Sequence, residues 1–162
     1  MNSKTRLNVV ILAGFVAFNF MLLTLFDSGK TATDDTTPAL HQLMGTMQPY
    51  MHKYNLSVLE NNRELAGFYL HELEEVSEEI IENIEEYDGH PVSSLAETMF
   101  LPAVEQAEAT LNNGSADEIR ESASLLIQSC NNCHKATEHG YIKLREVNPE
   151  ENPFNQDFSP SN

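Results

Sequence analysis

The stretch Ser115-Ala116-Asp117-Glu118-Ile119-Arg120-Glu121-Ser122-Ala123-Ser124-Leu125-Leu126-Ile127-Gln128-Ser129-Cys130-Asn131-Asn132-Cys133-His134 reads as one amphipathic helix with a defined start. Ser115 followed three residues later by Glu118 has the spacing of a capping box, in which each side chain satisfies a free amide at the helix start. Ile119, Ala123, Leu126, Ile127, Cys130 and His134 then recur at three- and four-residue spacing, which makes one apolar stripe. Gly140 is the expected stop. A helix that is apolar along one stripe must bury that stripe against something, so the rest of the chain has to supply partners.

Three more helical blocks precede it. The first opens at Thr36 or Thr37, with Pro38 suited to its first turn. Leu40, Leu43, Met44, Met47, Met51, Tyr54 and Val58 form its stripe, and Pro49 predicts a kink near Gly45. The second runs from about Asn62 to Tyr87, with Leu65, Tyr69, Leu73, Val76, Ile80, Ile84 and Tyr87 on one face. Glu74, Glu75, Glu78, Glu82 and Glu85 lie on the other, and Asp88-Gly89-His90-Pro91 forms a stop. The third starts at Ser93 or Ser94, with Glu97 in capping-box position to Ser94, an internal Pro102, and Asn112-Asn113-Gly114 at its end. No block alternates with a period of two. Four amphipathic helices with short connections predict an all-α fold, an antiparallel up-down-up-down four-helix bundle over residues 37–145. Residues 146–162 form an irregular tail with Pro149, Pro153 and Pro160, in which Phe154 and Phe158 are candidate anchors.

The 162 residues give one domain's worth of chain, with 9 Lys and Arg against 25 Asp and Glu and a formal charge of −16. That charge excludes nucleic acid as a partner, because a phosphate backbone needs a cationic face. At the N-terminus, Lys4 and Arg6 precede an uncharged, mostly apolar run from Leu7 to Phe26 that ends at Asp27. A helix of that length spans about 30 Å, roughly the hydrocarbon thickness of a bilayer. Ser28, Gly29 and Ala32 are small, but Asp27 and Lys30 spoil the cleavage sites they would make. Residues 1–27 are therefore read as an uncleaved signal anchor in preference to a removed signal peptide, and 28–36 as a linker. The basic flank places the N-terminus inside the cytoplasm and the rest outside it, in the periplasm or its equivalent.

Cys130-Asn131-Asn132-Cys133-His134 is C-x-x-C-H, the attachment signature of a c-type haem. Two thiols add across the two vinyl groups of the macrocycle as thioethers, the spacer sets their separation, and the adjacent His binds the iron as proximal ligand. With Ile119 at zero and about 100° per residue, Cys130 falls near 20°, Cys133 near 320° and His134 near 60°. All three therefore belong to the stripe that faces the core. The competing readings are poorer. A thioredoxin-like pair needs a βαβ setting, a structural zinc site needs more clustered ligands, and a disulfide within one helix would be strained.

A four-helix bundle with C-x-x-C-H on its last helix resembles the class II c-type cytochromes, the cytochrome c-prime-like proteins. The resemblance covers roughly Pro38 to Arg145, and its specific part is Cys130, Cys133 and His134. The run Leu43-Met44-Gly45-Thr46-Met47 is a weaker point of similarity. The tail after the motif departs from the family's pattern, as does the anchor, since class II proteins are typically soluble. The resemblance implies one covalent haem c and either one-electron transfer or gas binding at an open iron position.

The sixth iron position separates those functions. In an antiparallel bundle the end of the fourth helix lies beside the start of the first, so a distal ligand comes from there. Met44 is the first choice and Met47 the second, with His41 off the stripe and an open position as the remaining alternatives. Methionine on an apolar stripe also serves as ordinary core filler. His52, His71 and His90 have no evident role. His139, Lys135, Lys143, Arg145 and Arg63 are candidate partners for haem propionates. The eight glutamates between Glu72 and Glu86 form a solvated face or a docking surface for a basic redox partner. The leading expectation is an exported monohaem electron carrier with no enzymatic activity. The alternatives are a five-coordinate gas-binding or sensing protein and an accessory cytochrome subunit of a respiratory complex. A homodimer remains open.

Overall fold

The computed structural model describes residues 39–161. The expected anchor, the linker 28–36, and the cap at Thr36 or Thr37 with Pro38 lie outside the described residues. Among the described residues no helix is long and apolar enough to cross a membrane.

Those residues are helical, with no strand among them and one isolated two-residue bridge between Tyr87 and His90. Helix α1 spans Leu40–Leu59, with Ala39 at its N-cap and Gln42 Oε1 accepting from the Ala39 amide at 3.3 Å. It is assigned as one α-helix through Pro49. Helix α2 spans Arg63–Asn83 and starts at Asn62, whose Oδ1 accepts from the Leu65 amide at 3.1 Å. It ends four residues before Tyr87, where the sequence pattern had carried it. The physical reason is electrostatic: Glu82, Glu85 and Glu86 crowd the negative end of the helix dipole, and Ile84 leaves the helical conformation. Gly89, at φ 80°, therefore serves the turn from Tyr87 to His90 and not the helix cap.

The third helical stretch, α3, has three consecutive parts: α-helix Val92–Leu95, a π-helical turn Ala96–Phe100, and α-helix Leu101–Asn113. It begins before Ser94, and the expected Ser94–Glu97 capping box does not form. Ser93 Oγ donates instead to the Ile81 carbonyl at 2.8 Å, which ties the start of α3 to the end of α2. The π turn closes with the Leu101 amide on the Ala96 carbonyl. It resets the chain so that Pro102 sits in the first turn of a new α segment, where its missing N–H costs nothing.

Helix α4 spans Ala116–Ala136 and has the expected start. The Glu118 amide donates to Ser115 Oγ at 3.4 Å, and the Ser115 amide donates to Glu118 Oε2 at 2.7 Å. It stops at Thr137, not at Gly140: the Thr137 amide bonds the Cys133 carbonyl, and Glu138 takes the left-handed conformation at φ 62°.

Helix α2 packs along α1, α3 packs against α2 and α4, and α1 also meets α4. The main core draws on all four: Met51, Tyr54, Leu70, Leu73, Phe100, Val104, Leu126 and Ile127 are among its buried members. The tail closes over it, with Phe158 buried and Asn62 Nδ2 donating to the carbonyls of Phe158 and Ser159 at 3.2 and 2.8 Å. A second, smaller cluster contains Leu43, Val76, Ile80, Val92 and Ala96, with Met44 and Ile84 packed against it. Its members come from α1, the α2 end and α3, and none from α4.

Candidate functional site

The last turns of α4 carry Cys130, Cys133 and His134. Both cysteines are free thiols and both are half-buried. Cys130 packs against the main core, as its place on the stripe requires. Cys133 and His134 belong to neither apolar cluster. Burial pushes the Cys130 thiol up to about 12, with Cys133 adding to the rise and a Ser129 hydrogen bond opposing it. Burial also raises Cys133. In the folded chain both sulfurs are therefore protonated and poorly nucleophilic at neutral pH.

His134 Nδ1 lies 3.0 Å from the Ile142 carbonyl oxygen. A carbonyl accepts only, so this bond requires the proton on Nδ1 and leaves the Nε2 lone pair for a metal. Ligating histidines are commonly oriented in this way. The motif thus offers two free thiols one helical turn apart and a histidine of fixed tautomer beside them. The second cluster, drawn from α1, α2 and α3, contains no α4 side chain. This donor set fits a covalently attached haem. Among the described residues no group of three or more His, Cys, Asp or Glu side chains converges to hold a metal ion, so a multi-ligand zinc site is not assembled around these cysteines.

The other candidates are dispersed. Met44 is half-buried in the second cluster, and Met47 touches both clusters. His41 is exposed. His71 faces solvent between Glu74 and Glu75, at 3.7 and 3.4 Å. His52 sets its ring edge against Phe154, with centroids 5.2 Å apart, and buries an unpartnered Nε2. Burial lowers its pKa, Arg145 lowers it further, and Glu151 opposes both. His139 Nδ1 lies 2.6 Å from the Thr137 carbonyl, and its ring sits between those of Tyr87 and Tyr141 at 6.5 and 5.7 Å. Arg145 pairs with Glu151. Arg63 is taken up by carbonyls at the end of α3. Lys135 and Lys143 are exposed and make no ion pair among the described residues.

Sequence reasoning named Phe154 and Phe158 as anchors of the tail but missed the stretch between α4 and them. Leu144 and Val147 pack against the main core, Asn131 pairs with the Leu144 backbone, and Ser124 Oγ donates to Glu146 at 2.8 Å. The available signal was Leu144, Val147, Phe154 and Phe158 recurring in an otherwise polar tail. No family model matches the chain, and neither does any curated protein or solved structure.

Proposed function

We propose that the chain is an exported monohaem c-type cytochrome of the class II type that carries one electron at a time. In this reading the four helices form an antiparallel up-down-up-down bundle. The connections at Glu60–Asn62 and Gly114–Ser115 are short enough to favour that arrangement. The observation that carries the proposal is the free Nε2 of His134, set by the Nδ1 contact to Ile142 inside a complete C-x-x-C-H.

Haem bound here supplies a one-electron ferrous–ferric couple. Cys130 and Cys133 hold it by thioethers, and His134 supplies the proximal nitrogen. Met44 is the proposed distal ligand, ahead of Met47 and His41. The exposed glutamates of α2 and of the turn after it, Glu75, Glu78, Glu82, Glu85 and Glu86, supply the face for a basic redox partner, where complementary charge raises the encounter rate. Leu7 to Phe26 supply the membrane anchor.

One observation favours the gas-binding alternative. Met44 packs against the cluster of Leu43, Val76, Ile80, Val92 and Ala96 as an apolar filler, a role that would leave a bound haem without a Met44 ligand. Mass spectrometry of protein made with a haem-attachment system tests the shared premise. One added haem, retained through acid–acetone extraction and lost in Cys130→Ala with Cys133→Ala, is expected. Extraction that leaves bare wild-type protein ends both readings.

A further inference from the structure

The chain does not leave α4 when the helix ends. The His139 amide donates to the His134 carbonyl at 2.7 Å, and the Ile142 amide donates to the His139 carbonyl at 2.8 Å. The Ile142 carbonyl then meets His134 Nδ1. Two residues further on, Asn131 Nδ2 donates to the Leu144 carbonyl at 2.9 Å, and the Leu144 amide donates to Asn131 Oδ1 at 2.8 Å. Asn131 and His134 are three residues apart and so share a face of α4. Their partners, Leu144 and Ile142, are two apart on the returning segment. The two contacts form a matched pair.

Beyond the backbone bonds at His139 and Ile142, the returning segment has little else to hold it at this point. Tyr141 is 76% exposed, Ile142 46% exposed, and Lys143 is exposed as well. Side chains in water do not fix a carbonyl to within hydrogen-bond distance of an imidazole. The Leu144 side chain packs on the core, and the Asn131 amide fixes the Leu144 backbone. A carboxamide suits this task because it presents one donor group and one acceptor, which an N–H and C=O of the same residue require. Asn132, the other residue of the spacer, is exposed and makes no side-chain hydrogen bond among the described residues.

We propose that Asn131 is a positioning residue for His134: it clamps Leu144 so that the Ile142 carbonyl holds the His134 proton on Nδ1. The proposal rests on the reading of His134 as iron ligand. In that role a donated Nδ1 proton makes the imidazole more basic and favours the ferric state. The spacer of the haem motif thereby orients its own histidine through the chain that follows the helix.

Asn131→Ala and Asn132→Ala, compared in the full chain prepared with and without a haem-attachment system, provide the test. Both changes remove one spacer amide and improve helix propensity. Nitrogen-15 NMR of the His134 ring in the haem-free chain, at a pH where imidazole is neutral, reports the tautomer. Wild type and Asn132→Ala should both show the proton on Nδ1, and Asn131→Ala should move both ring nitrogens towards averaged shifts. In the haem-loaded protein the midpoint potential should rise in Asn131→Ala and stay put in Asn132→Ala. Should Asn131→Ala fail to fold, hydrogen exchange at the Leu144 amide of the wild type decides. Slow exchange supports the clamp, and exchange at the rate of an unprotected amide overturns it. A chain that takes up no haem removes the cytochrome reading but leaves the tautomer comparison standing. Equal tautomers in the two variants overturn the clamp whatever the haem content.

Discussion

Arg63, the first residue of α2, donates from both arms of its guanidinium to the end of α3: Nη1 to the Leu111 carbonyl at 2.8 Å and Nη2 to the Gly114 carbonyl at 2.7 Å. The last carbonyls of a helix lack intrahelical donors and carry its negative pole, so a planar cation there serves as cap and counter-charge together. Arg63→Ala should lower stability by about 1–2 kcal/mol, read from the urea midpoint at constant slope. Arg63→Lys should recover less than half of the loss, because an ammonium cannot span two carbonyls as a rigid fork does. A midpoint for Arg63→Ala equal to wild type would show that the two bonds merely replace water.

Tyr54 presents the opposite case. Its side chain is fully buried in the main core, and among the described residues its hydroxyl makes no hydrogen bond of good geometry, although Ser122 Oγ, which donates to the Ile119 carbonyl at 2.8 Å, lies nearby with a free acceptor lone pair. A buried polar group left unpaired costs free energy, whereas the ring fills space among Leu70, Leu73 and Leu126. Tyr54→Phe should therefore leave the chain as stable as wild type or raise its stability by about 1 kcal/mol. Tyr54→Ala should cost about 3–5 kcal/mol. A clear loss in Tyr54→Phe, measured by chemical denaturation, would mean that the hydroxyl is satisfied after all.

On the proposed reading, the raised thiol of Cys130 would link haem attachment to folding. Burial moves it from an ordinary value of about 9 to about 12, so the folded chain holds this proton more tightly than the unfolded one. The stability it contributes is complete below about pH 9 and drains away as pH climbs towards 12. In the haem-free chain, alkaline unfolding between those values should be delayed in Cys130→Ala relative to wild type. Alkylation follows the same logic, because the thiolate is the nucleophile. Iodoacetamide at neutral pH should label Cys130 at least tenfold faster in urea than in buffer. On the proposed reading, thioether formation would belong to the open chain, before the helices close. Equal labelling rates in urea and buffer would contradict the burial.

The sequence made α4 legible because two independent signals coincide there. The Ser115–Glu118 box fixes the start, and the stripe from Ile119 to Cys130 fixes the buried face. Its end was hidden because Glu138, a non-glycine residue at positive φ, turns the chain two residues before Gly140. The Ser94–Glu97 box had the right spacing and did not form. Val92 is buried in the second cluster, and Ser93 is engaged by the end of α2, so the helix starts earlier than local chemistry suggests. The π turn at Ala96–Phe100 had only Pro102 as its trace. At the candidate site, C-x-x-C-H was plain, but the Ile142 carbonyl that selects the His134 tautomer was not. Main-chain acceptors leave no mark in a sequence.

In the proposed cytochrome, the distal side would carry the choice between electron transfer and gas binding. Along an antiparallel pair, a step forward on α4 is a step back on α1. Cys130 shares the main core with Met47. If α1 and α4 run antiparallel, as proposed, His134, four residues beyond Cys130, would lie about 6 Å nearer the start of α1, towards Met44. A thioether from Met44 would make the iron six-coordinate, raise the potential relative to a second histidine, and block added ligands. The weak ferric absorption band of Met–iron bonding should be present in the haem-loaded wild type, absent in Met44→Ala and kept in Met47→Ala. Carbon monoxide should bind the reduced Met44→Ala protein at least tenfold more readily than wild type. Loss of the band in Met47→Ala alone would move the ligand by one turn and leave the electron-carrier reading intact. A wild type with no band and ready carbon monoxide binding would instead leave Met44 as a packing residue of the second cluster, and the gas-binding reading would take the lead.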